Sequence, residues 1–526
     1  MSAFTTLADY LEHSAERAPD RPALVDPSGR TLTYRELDEA ANRVAHWLAA
    51  CGVGKGDRVG LCLPKSAESV AGIYGALKLG AVYVPVDYTA PAERNRFIFS
   101  DCQVKAAIID ARCAAVFDAP GEGGHQPDAV LVCGEPVPET LAKPRWHGAG
   151  ELKEQPASRP KADRPHSDDL AYILYTSGST GLPKGVMLSQ ENATSYVDWC
   201  SEVFAPTPDD RFTSHAPFHF DLSILDLYVP AKHGAALYLI SEELGKTAAS
   251  LGPFIDEHRI TCWYSVPSIL ALMTQYGKLE ETDASSLRIV NFAGEVFPIK
   301  YLRRLRDLWP HADFYNLYGP TETNVCTYYK IPATIPPDRQ EPYPIGKICS
   351  HCEALIIGDD GKPVADGGEG LLCIAGTPVL QGYWGDEQRT DGAFMTHGGR
   401  RYYNTGDVVR PDENGDFVFL GRKDRMVKRH GYRIELGEIE AAMYKHPGVA
   451  EAAAIALLDG AGVVTLRAVL SAKDGAKLGA IAMKQHSAAH LPSYMIPDTF
   501  TFLDALPQTS TGKIDYQALI RQAGGG

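Results

Sequence analysis

The sequence predicts an α/β fold with a large N-terminal domain of layered sheets and helices, a small β subdomain and a small α+β C-terminal domain. Short apolar, β-prone runs alternate with amphipathic helical stretches through residues 58–309, which is typical of a mostly parallel sheet covered by helices on both faces. The chain becomes turn-rich over residues 343–420, and beyond the charged segment 421–425 the pattern changes to a helix, two strands and a helix. Because 526 residues exceed what one hydrophobic core usually supports, we expect two domains, residues 1–421 and 422–526.

Hydrophobic periodicity assigns the individual elements. Apolar residues at helical spacing predict helices over 7–17, 34–50, 67–79, 247–259, 268–276, 298–309, 436–445 and 478–491. Continuous or alternating apolar runs predict strands over 58–63, 81–85, 106–109, 129–133, 170–175, 234–240, 260–266, 287–292, 345–357, 450–457 and 463–470. Apart from the strand at 129–133, residues 119–169 are rich in proline, glycine and charge, and we expect mainly surface loop there.

The bulk composition excludes several classes of protein. A formal net charge of −15 argues against a nucleic-acid partner, whose binding site would require a basic face. No apolar stretch is long enough to span a bilayer, and the first ten residues lack the features of a signal peptide. Most of the eleven cysteines lie in apolar runs, as small buried side chains do in a reducing compartment. We therefore expect a cytoplasmic protein that binds neither nucleic acid nor membrane.

One cysteine pair, Cys349 and Cys352, has the spacing of a zinc or redox motif. No second pair of Cys or His residues lies near it in the sequence, and it falls within the predicted strand 345–357. We expect both cysteines to be structural.

The most informative segment is a glycine-containing loop that follows the predicted strand 170–175. Its residues are Thr176, Ser177, Gly178, Ser179, Thr180, Gly181 and Lys184. Successive backbone amides in such a turn form a concave anion site, to which the hydroxyls add donors and the lysine adds charge. The sequence therefore predicts a phosphate-binding loop, with a flexible Ser/Gly loop as the alternative. It differs from the common P-loop, because Gly185 stands where a Mg²⁺-binding Ser or Thr should follow the lysine.

Five further segments accompany this loop in a defined order. They are Asn316-Leu-Tyr-Gly-Pro-Thr-Glu-Thr323, Tyr403-Asn-Thr-Gly-Asp407, Gly421-Arg-Lys-Asp424, Lys428-Arg-His-Gly-Tyr-Arg-Ile-Glu435 and Leu506-Pro-Gln-Thr-Ser-Thr-Gly-Lys-Ile-Asp515. Together the six segments resemble the adenylate-forming superfamily of acyl-CoA synthetases, luciferases and amino-acid adenylation domains, and in particular a stand-alone adenylation domain of the nonribosomal peptide synthetase type. The resemblance covers the chain from about residue 31 to its end.

The resemblance implies a role for each matching residue. The ATP phosphates would be held by Thr176, Ser177, Thr180 and Lys184, in the loop that Gly178, Ser179 and Gly181 complete. Adenine would contact Asn316 and Tyr318 beside Gly319, and the ribose would be bound by Asp407 and Arg422. Thr321 would bind the α-phosphate, and Glu322 would bind Mg²⁺. Asp424 would be the hinge of a mobile C-terminal domain, and Lys513 would be the catalytic cation. Asn404 and Thr511 depart from the usual motifs, but neither change removes a charged ligand.

These residue types suit the reaction that the resemblance implies. A substrate carboxylate must attack an anionic α-phosphate, so two negative groups have to meet. Mg²⁺ and the glycine-containing loop would neutralise the pyrophosphate side, and the Lys513 ammonium would neutralise the bridging side. No general base is needed, because the nucleophile is already ionised. Rotation of the small domain that carries the lysine could then clear the site for attack by a thiol.

The segment after Phe220 distinguishes the substrates of this superfamily. Asp221 matches the aspartate that pairs with the α-ammonium of the substrate in amino-acid adenylation domains. The alternative is that Asp221 only caps the following helix, a common duty of aspartate. Asp226 could instead anchor the displaced amine of a β-amino acid, or serve as a solvated or capping acid.

The remaining positions of the substrate pocket are implied by the same resemblance. They are Leu222, Leu225, Tyr264 or Ser265, Asn291, Ala293, Gly294, Leu317, Val325 and Cys326. None is charged, so a charged substrate side chain would be buried without a partner. We expect a small, neutral, mostly apolar amino acid of the proline, alanine or serine type. Asn291 is the unexpected polar residue, which either bonds a substrate hydroxyl or satisfies the backbone.

The acceptor of the activated group is predicted from the chain's extent. The sequence ends shortly after Lys513 with no appended carrier module, so we expect transfer in trans to the phosphopantetheine thiol of a separate carrier protein, with coenzyme A as the alternative. The basic residues between Arg422 and Arg433 form either a docking patch for that carrier or a solvated hinge surface. An acyl- or aryl-CoA ligase and a catalytically silent homologue are the competing functions.

Overall fold

The computed structural model describes residues 4–138, 144–178, 181–365, 367–459, 463–474, 476–508 and 514–524. These residues divide into two compact units. The first unit comprises the described residues of Met1–Tyr88, Arg96–Tyr175 and Gly185–Gly421, and the second comprises those of Thr89–Asn95, Thr176–Lys184 and Arg422–Gly526. The α/β class that the sequence predicts is confirmed, because both units contain helices and sheets.

The first unit contains most of the helices and strands. Its strands are β1 (Pro22–Val25), β2 (Thr31–Thr33), β3 (Arg58–Cys62), β4 (Val82–Pro85), β5 (Ala106–Asp110), β6 (Ala129–Cys133), β7 (Arg145–Gly148), β8 (Leu170–Thr176), β9 (Lys184–Ser189), β10 (Arg211–Ser214), β11 (Ala236–Leu239), β12 (Cys262–Ser265), β13 (Ile289–Ala293), β14 (Asp313–Tyr318), β15 (Thr327–Lys330), β16 (Lys347–Ile348), β17 (Cys352–Ile357), β18 (Gly370–Gly376), β19 (Gly382–Tyr383), β20 (Phe394–His397), β21 (Arg400–Pro411) and β22 (Phe417–Arg422). Its helices are α1 (Leu7–Arg17), α2 (Tyr34–Ala50), α3 (Ala67–Lys78), α4 (Ala92–Asp101), α5 (Gln190–Phe204), α6 (Ser223–His233), α7 (Glu242–Lys246), α8 (Ala248–Glu257), α9 (Pro267–Tyr276), α10 (Ile299–Leu308) and α11 (Glu387–Gly392).

Two large sheets form the framework of this unit. Among the described residues, one sheet has eight strands in the order β19-β9-β8-β4-β3-β5-β6-β7, and the other has nine in the order β16-β15-β14-β13-β12-β10-β11-β1-β2. Pairing is parallel from β8 through β4, β3 and β5 to β7, and from β1 through β11, β10, β12 and β13 to β14. The predicted parallel architecture is therefore confirmed.

The nine-stranded sheet separates two hydrophobic clusters. Tyr264, Ala293 and Leu317 belong to one buried cluster, whereas Trp263 and Phe292 belong to the other. Successive side chains of a strand point to opposite faces, and residues paired in parallel register share a face. The two faces of β12, β13 and β14 thus pack against different helices, and one of the faces carries the predicted substrate pocket.

The β subdomain is an antiparallel sheet, but one predicted strand within this region is wrong. Strands β17, β18, β20, β21 and β22 form the sheet. Residues 345–357 do not form one continuous strand, because the chain changes sheets there. Strand β16 pairs with β15 of the nine-stranded sheet, β17 pairs with β18, and a turn closed by the Cys352 amide on the Cys349 carbonyl (2.9 Å) separates them.

The second unit contains a smaller core of its own. Its elements are β23 (Met426–Arg429), β24 (Tyr432–Glu435), α12 (Leu436–Tyr444), β25 (Val449–Leu458), β26 (Val464–Ala472), α13 (Ala480–His490), β27 (Thr499–Leu503) and α14 (Tyr516–Gln522). Strands β25, β26 and β27 form one sheet in that order, and β23 pairs with β24. Helix α12 packs under this sheet through buried residues such as Ile439 and Met443.

The cysteines are thiols that lie mostly in the interior. All eleven cysteines are free, and burial raises the pKa of the Cys349 and Cys352 thiols. The described residues contain no group of three or more His, Cys, Asp and Glu that could hold a metal. No helix in the described part of the chain has the length and apolar character needed to cross a bilayer.

An ion pair between a buried carboxylate and a partly exposed guanidinium joins the starts of three strands of the nine-stranded sheet. Asp210 precedes β10, is 3% exposed, and accepts hydrogen bonds from Arg288 Nε and Nη2 at 2.7 Å each. It also accepts from the Thr261 hydroxyl at 2.7 Å. Burial opposes ionisation of Asp210, but these bonds outweigh it and lower its pKa. Since Thr261 precedes β12 and Arg288 precedes β13, the pair aligns the strands that carry the pocket.

We expect Asp210→Asn to lower the free energy of unfolding by about 3 kcal/mol, because it leaves the Arg288 charge without its partner. Asp209 is a matched control: its side chain is 90% exposed and pairs with Arg21, so Asp209→Asn should cost less than about 1 kcal/mol. The folded-state pKa of Asp210 is lowered. Its contribution is therefore present above the unfolded pKa of about 4 and is lost as the pH falls through the folded value. Urea unfolding measures both variants, and equal losses would contradict this role.

Candidate active site

Asp221 lies in the connection between strand β10 and helix α6, where it is half-buried. The N-cap residue of α6 is Leu222, and no side chain makes a capping bond there. Asp221 therefore does not occupy the cap position. Burial raises the pKa of Tyr172, Tyr196 and Tyr264, and the negative charge of Asp221 adds to the rise in each. The carboxylate thus lies among three buried tyrosines.

The apolar positions of the predicted pocket come together in one buried cluster. The members are Leu222, Leu225, Tyr264, Ala293, Leu317, Val325 and Cys326, each at most 8% exposed. Strand register explains the grouping, since Tyr264 pairs with Asn291 and Ala293 pairs with Leu317 across parallel strands. Gly294 follows at φ +96°, a backbone angle that favours glycine.

Ser265, the alternative to Tyr264, is not brought to this cluster. It pairs with Phe292 on the opposite face of the sheet, and its hydroxyl accepts a hydrogen bond from Trp263 Nε1 at 2.9 Å. Two-residue alternation along β12 allows only one of the two neighbours to face the pocket. Tyr264 is the residue that does.

Several buried polar side-chain atoms of this region make no hydrogen bond of standard geometry among the described residues. They are the hydroxyls of Tyr172 and Tyr196, Oδ1 of Asn291, and both amide atoms of Asn324. An unsatisfied buried polar group costs about 1–3 kcal/mol. This concentration of orphaned donors and acceptors therefore indicates a site that a polar ligand or water completes.

Sequence reasoning missed Tyr172, Tyr196 and Asn324. Asn324 carried a signal, because it stands between Thr321–Thr323 and Val325 in the recognised motif and asparagine tolerates positive φ. Its φ of +51° and ψ of −127° make a strained conformation of the kind found at functional sites. Tyr172 and Tyr196 carried no such signal, since a buried tyrosine in β8 or α5 resembles any core aromatic.

Asp226, the other acid of this segment, is remote from solvent. It is fully buried in α6. Burial raises its pKa, and the positive charge of Lys65 and a hydrogen bond from Ser214 act against that rise. Asp226 is therefore within electrostatic range of a protein cation.

The predicted nucleotide residues of the first unit cluster around the end of β14. The Tyr318 hydroxyl donates to the Asp407 carboxylate, and both residues are buried. Asp407 is held in a tight turn of β21, where the Gly406 amide donates to Asn404 Oδ1 at 2.9 Å. This contact explains the asparagine at position 404. Asn316, on the opposite face from Leu317, donates to the Pro344 carbonyl at 2.9 Å.

Thr321, Glu322 and Gly319 occupy the tight segment that follows. Glu322 is fully buried, and its Oε1 accepts a hydrogen bond from the Tyr383 hydroxyl at 2.8 Å. The segment folds back closely: a Cβ at Gly319 would lie 1.6 Å from the Asn324 carbonyl oxygen. Glycine is therefore required at position 319 by the fold itself.

The second unit contains the rest of the predicted residues. The Ser177 hydroxyl donates to the Arg433 carbonyl at 2.9 Å and accepts from the Glu435 amide at 3.2 Å. Arg422 forms two hydrogen bonds of 2.7 Å to Asp424, and these lower the pKa of Asp424 against the opposing effect of burial. Thr176, Gly178, Gly181 and Lys184 also belong to this unit. Ser179, Thr180 and Lys513 lie outside the described residues.

The basic residues after Gly421 are largely paired with acids of the same unit. Arg425 pairs with Glu440 at 2.7 Å, and Arg429 pairs with Asp498 at 2.6 Å. These arginines, together with Arg422, are thus engaged within the unit.

The fold and the site define an adenylate-forming enzyme. The chain matches the family described as AMP-binding enzyme over residues 11–384, and the family described as AMP-binding enzyme C-terminal domain over residues 438–513. It belongs to the AMP-binding enzyme family.

Two curated relatives are similar over nearly the whole chain. An L-proline--[L-prolyl-carrier protein] ligase of Pseudomonas fluorescens is 40% identical over 519 residues, which cover 99% of either chain. A protein of the same name from Streptomyces coelicolor is 41% identical over 540 residues, covering 99% of this chain and 97% of the other. Amide bond synthetase McbA from Marinactinospora thermotolerans shares the fold with a TM-score of 0.85 at 22% identity, covering 98% of this chain and 99% of that one.

We expect Gly319→Ala to abolish adenylation and to lower the yield of folded protein, because the new Cβ would overlap backbone that cannot yield cheaply. Gly392→Ala is the control, since no atom lies within 4 Å of a Cβ there. Thermal melting and amino-acid-dependent ATP–pyrophosphate exchange are measured for both variants. Wild-type behaviour of Gly319→Ala would contradict the close approach.

Proposed function

We propose that this protein adenylates L-proline, or a similarly small neutral L-amino acid such as alanine or serine, and transfers the aminoacyl group to the phosphopantetheine thiol of a separate carrier protein. The observation that carries the proposal is the uncharged, apolar cluster beside the half-buried carboxylate of Asp221. A substrate ammonium at Asp221 is neutralised, whereas a charged side chain within the cluster would be buried without a partner. The two relatives named for proline and a prolyl carrier support the same substrate and acceptor.

The α-amine is favoured over a displaced amine. Asp221 stands at the entrance of α6 among Tyr172, Tyr196 and Tyr264. Asp226, which a β-amino acid would need, is fully buried with the Lys65 charge acting on it. We therefore assign the substrate ammonium to Asp221. The apolar cluster then takes the side chain, with Asn291 as its polar member.

The residues around Glu322 fit a magnesium ion. A fully buried carboxylate that accepts one hydrogen bond from Tyr383 supplies the oxygen ligand that Mg²⁺ prefers. Mg²⁺ commonly takes only one or two carboxylates, completing its shell with substrate phosphates and water. Such a site agrees with the absence of a larger cluster of metal ligands among the described residues. When bound with ATP, the ion neutralises charge on the phosphates.

ATP is the nucleotide that this arrangement suits. Asp407, already an acceptor for Tyr318, would accept from the ribose hydroxyls, and the Tyr318 ring would lie against adenine beside Asn316. The loop 176–184, with Lys184, would hold the phosphates, and Thr321 would contact the α-phosphate. Lys513 would neutralise the charge between the substrate carboxylate and the α-phosphate. No protein base is required.

The second half of the reaction needs a separate mobile domain. We propose that residues 422–526 are that domain, that Asp424 is its hinge, and that the Arg422–Asp424 pair holds one of its positions. Rotation at this point would move Lys513 out of the active site and allow the thiol of the carrier protein to enter. We also propose a cytoplasmic location, because the reaction consumes ATP and all eleven cysteines are free.

Amino-acid-dependent ATP–pyrophosphate exchange tests the proposal. A panel of proline, alanine, serine, β-amino acids and simple carboxylic acids is compared for the wild type, Asp221→Ala and Lys513→Ala. We expect exchange with proline at least tenfold above the other acids, and loss of about a hundredfold or more in Asp221→Ala. Strong exchange with acids that lack an α-amine, unaffected by Asp221→Ala, would contradict the proposal and indicate an acyl- or aryl-CoA ligase.

We expect Tyr383→Phe to raise the Mg²⁺ concentration for half-maximal exchange about three- to tenfold. The substitution removes the hydroxyl that orients Glu322, and losing a neighbour that orients a metal ligand commonly weakens binding by that order or more. Tyr402→Phe, at a tyrosine of the β subdomain cluster, is the control. A Mg²⁺ titration at saturating ATP and proline measures both variants. Identical midpoints would contradict the role of the Tyr383 hydroxyl in orienting Glu322 for the metal.

A further inference from the structure

Lys65 is a buried lysine outside the pocket, and among the residues that the structure describes its ammonium donates hydrogen bonds to backbone oxygens. It stands between β3 and α3 and is 7% exposed. Its Nζ lies 2.7 Å from the Ser214 carbonyl, 2.8 Å from that of His215 and 3.4 Å from that of Ala216. A lysine ammonium has three donors and no acceptor. All three are therefore directed at three successive carbonyls at the end of β10.

The charge of Lys65 is balanced from the helix beyond Asp221. Asp226 is fully buried, which raises its pKa, and the positive charge of Lys65 opposes that rise most, followed by a hydrogen bond from Ser214. Glu242, at the start of α7, acts on Lys65 in the same sense. An opposite charge nearby offsets part of the cost of burying each of these groups.

The tethered carbonyls and Asp226 enclose the segment that presents Asp221. The chain runs from Ala216 through residues 217–220 to Asp221, and Asp226 lies five residues further on. Pro217, Phe218 and His219 border a small cavity that Lys65 also lines. Lys65 thus holds the end of β10, from which this segment starts, and the Ser223 hydroxyl donates to the Phe218 and Phe220 carbonyls within it.

We propose that Lys65 is a positioning residue for the amino-acid substrate: by holding the carbonyls of residues 214–216 at the end of β10, it keeps the Asp221 carboxylate where the substrate ammonium binds. The inference rests on the proposed role of Asp221. Lys65 itself does not touch the substrate. Its loss should therefore act on amino-acid binding through Asp221 and leave ATP binding nearly unchanged.

The test compares Lys65→Met, which keeps the length of the side chain and removes its charge, with Lys65→Arg, which keeps the charge. Lys78→Met is the matched control, because Lys78 is equally buried and pairs with Glu12 and Asp38 instead. In ATP–pyrophosphate exchange we expect Lys65→Met to raise the KM for the amino acid at least tenfold and the KM for ATP less than twofold. Lys65→Arg should restore part of the loss, and Lys78→Met should lower the melting temperature without changing either KM.

A double substitution separates positioning from general destabilisation. In an Asp221→Asn background, Lys65→Met should change the KM for the amino acid less than twofold further, because the carboxylate that it positions is already gone. An unchanged KM in Lys65→Met alone, equal rises for amino acid and ATP, or full additivity with Asp221→Asn would each overturn the inference. If Lys65→Met does not fold, Lys65→Met with Asp226→Leu, which removes both buried charges, is judged by the same criteria.

A measurement without substrate keeps the two proposals distinct. Amide hydrogen exchange over residues 214–222 should accelerate at least tenfold in Lys65→Met and remain unchanged in Lys78→Met. Unchanged exchange would overturn the tether even if the enzyme activates proline. If the wild type catalyses pyrophosphate exchange with none of the amino acids tested, the proposed function is contradicted. Accelerated hydrogen exchange in Lys65→Met would still support the tether in that case.

Discussion

Two-residue alternation in strands β12, β13 and β14 is the constraint on which the rest of the site depends. Each strand sends one residue to the cluster of Tyr264 and Leu317 and the next to that of Trp263 and Phe292. A slip of one residue would exchange the two faces and replace the pocket with core side chains. The Asp210–Arg288 pair at the strand starts opposes such a slip. The shape of the pocket and the stability of the sheet therefore depend on the same strand register.

The buried acids differ in the groups that compensate their charge. The difference distinguishes acids that stabilise the fold from acids that are candidates for binding ligands. Asp210 accepts hydrogen bonds from Thr261 and Arg288 and stabilises the sheet. Asp226 is compensated by Lys65, and Glu322 and Asp407 are each oriented by a tyrosine hydroxyl. A hydroxyl that donates to one carboxylate oxygen orients the group, and a carboxylate has acceptor capacity for several ligands. This is the condition expected of groups that meet Mg²⁺ and ribose.

The sequence predicted those features that local patterns encode. Helices α1 and α2 have the predicted bounds. A capping box at Thr6 and another at Thr33 fix where the two helices begin. Strand β7 was missed because its half-buried residues show no apolar run, and the break after β16 was missed because it depends on a change of sheet. The link from Lys65 to Ser214 spans 149 residues, so no local pattern could reveal it.

The central claim is that Asp221 binds the ammonium of an amino acid beside an apolar pocket. The most direct test is calorimetric binding of two stable adenylate analogues, a prolyl sulfamoyl adenosine and its cyclopentanecarbonyl counterpart, which differ only in the ring amine. We expect the wild type to bind the prolyl analogue about a hundredfold more tightly, a difference of roughly 2.7 kcal/mol. Asp221→Asn should reduce that difference to a few fold. Equal affinity of the wild type for the two analogues would contradict the account.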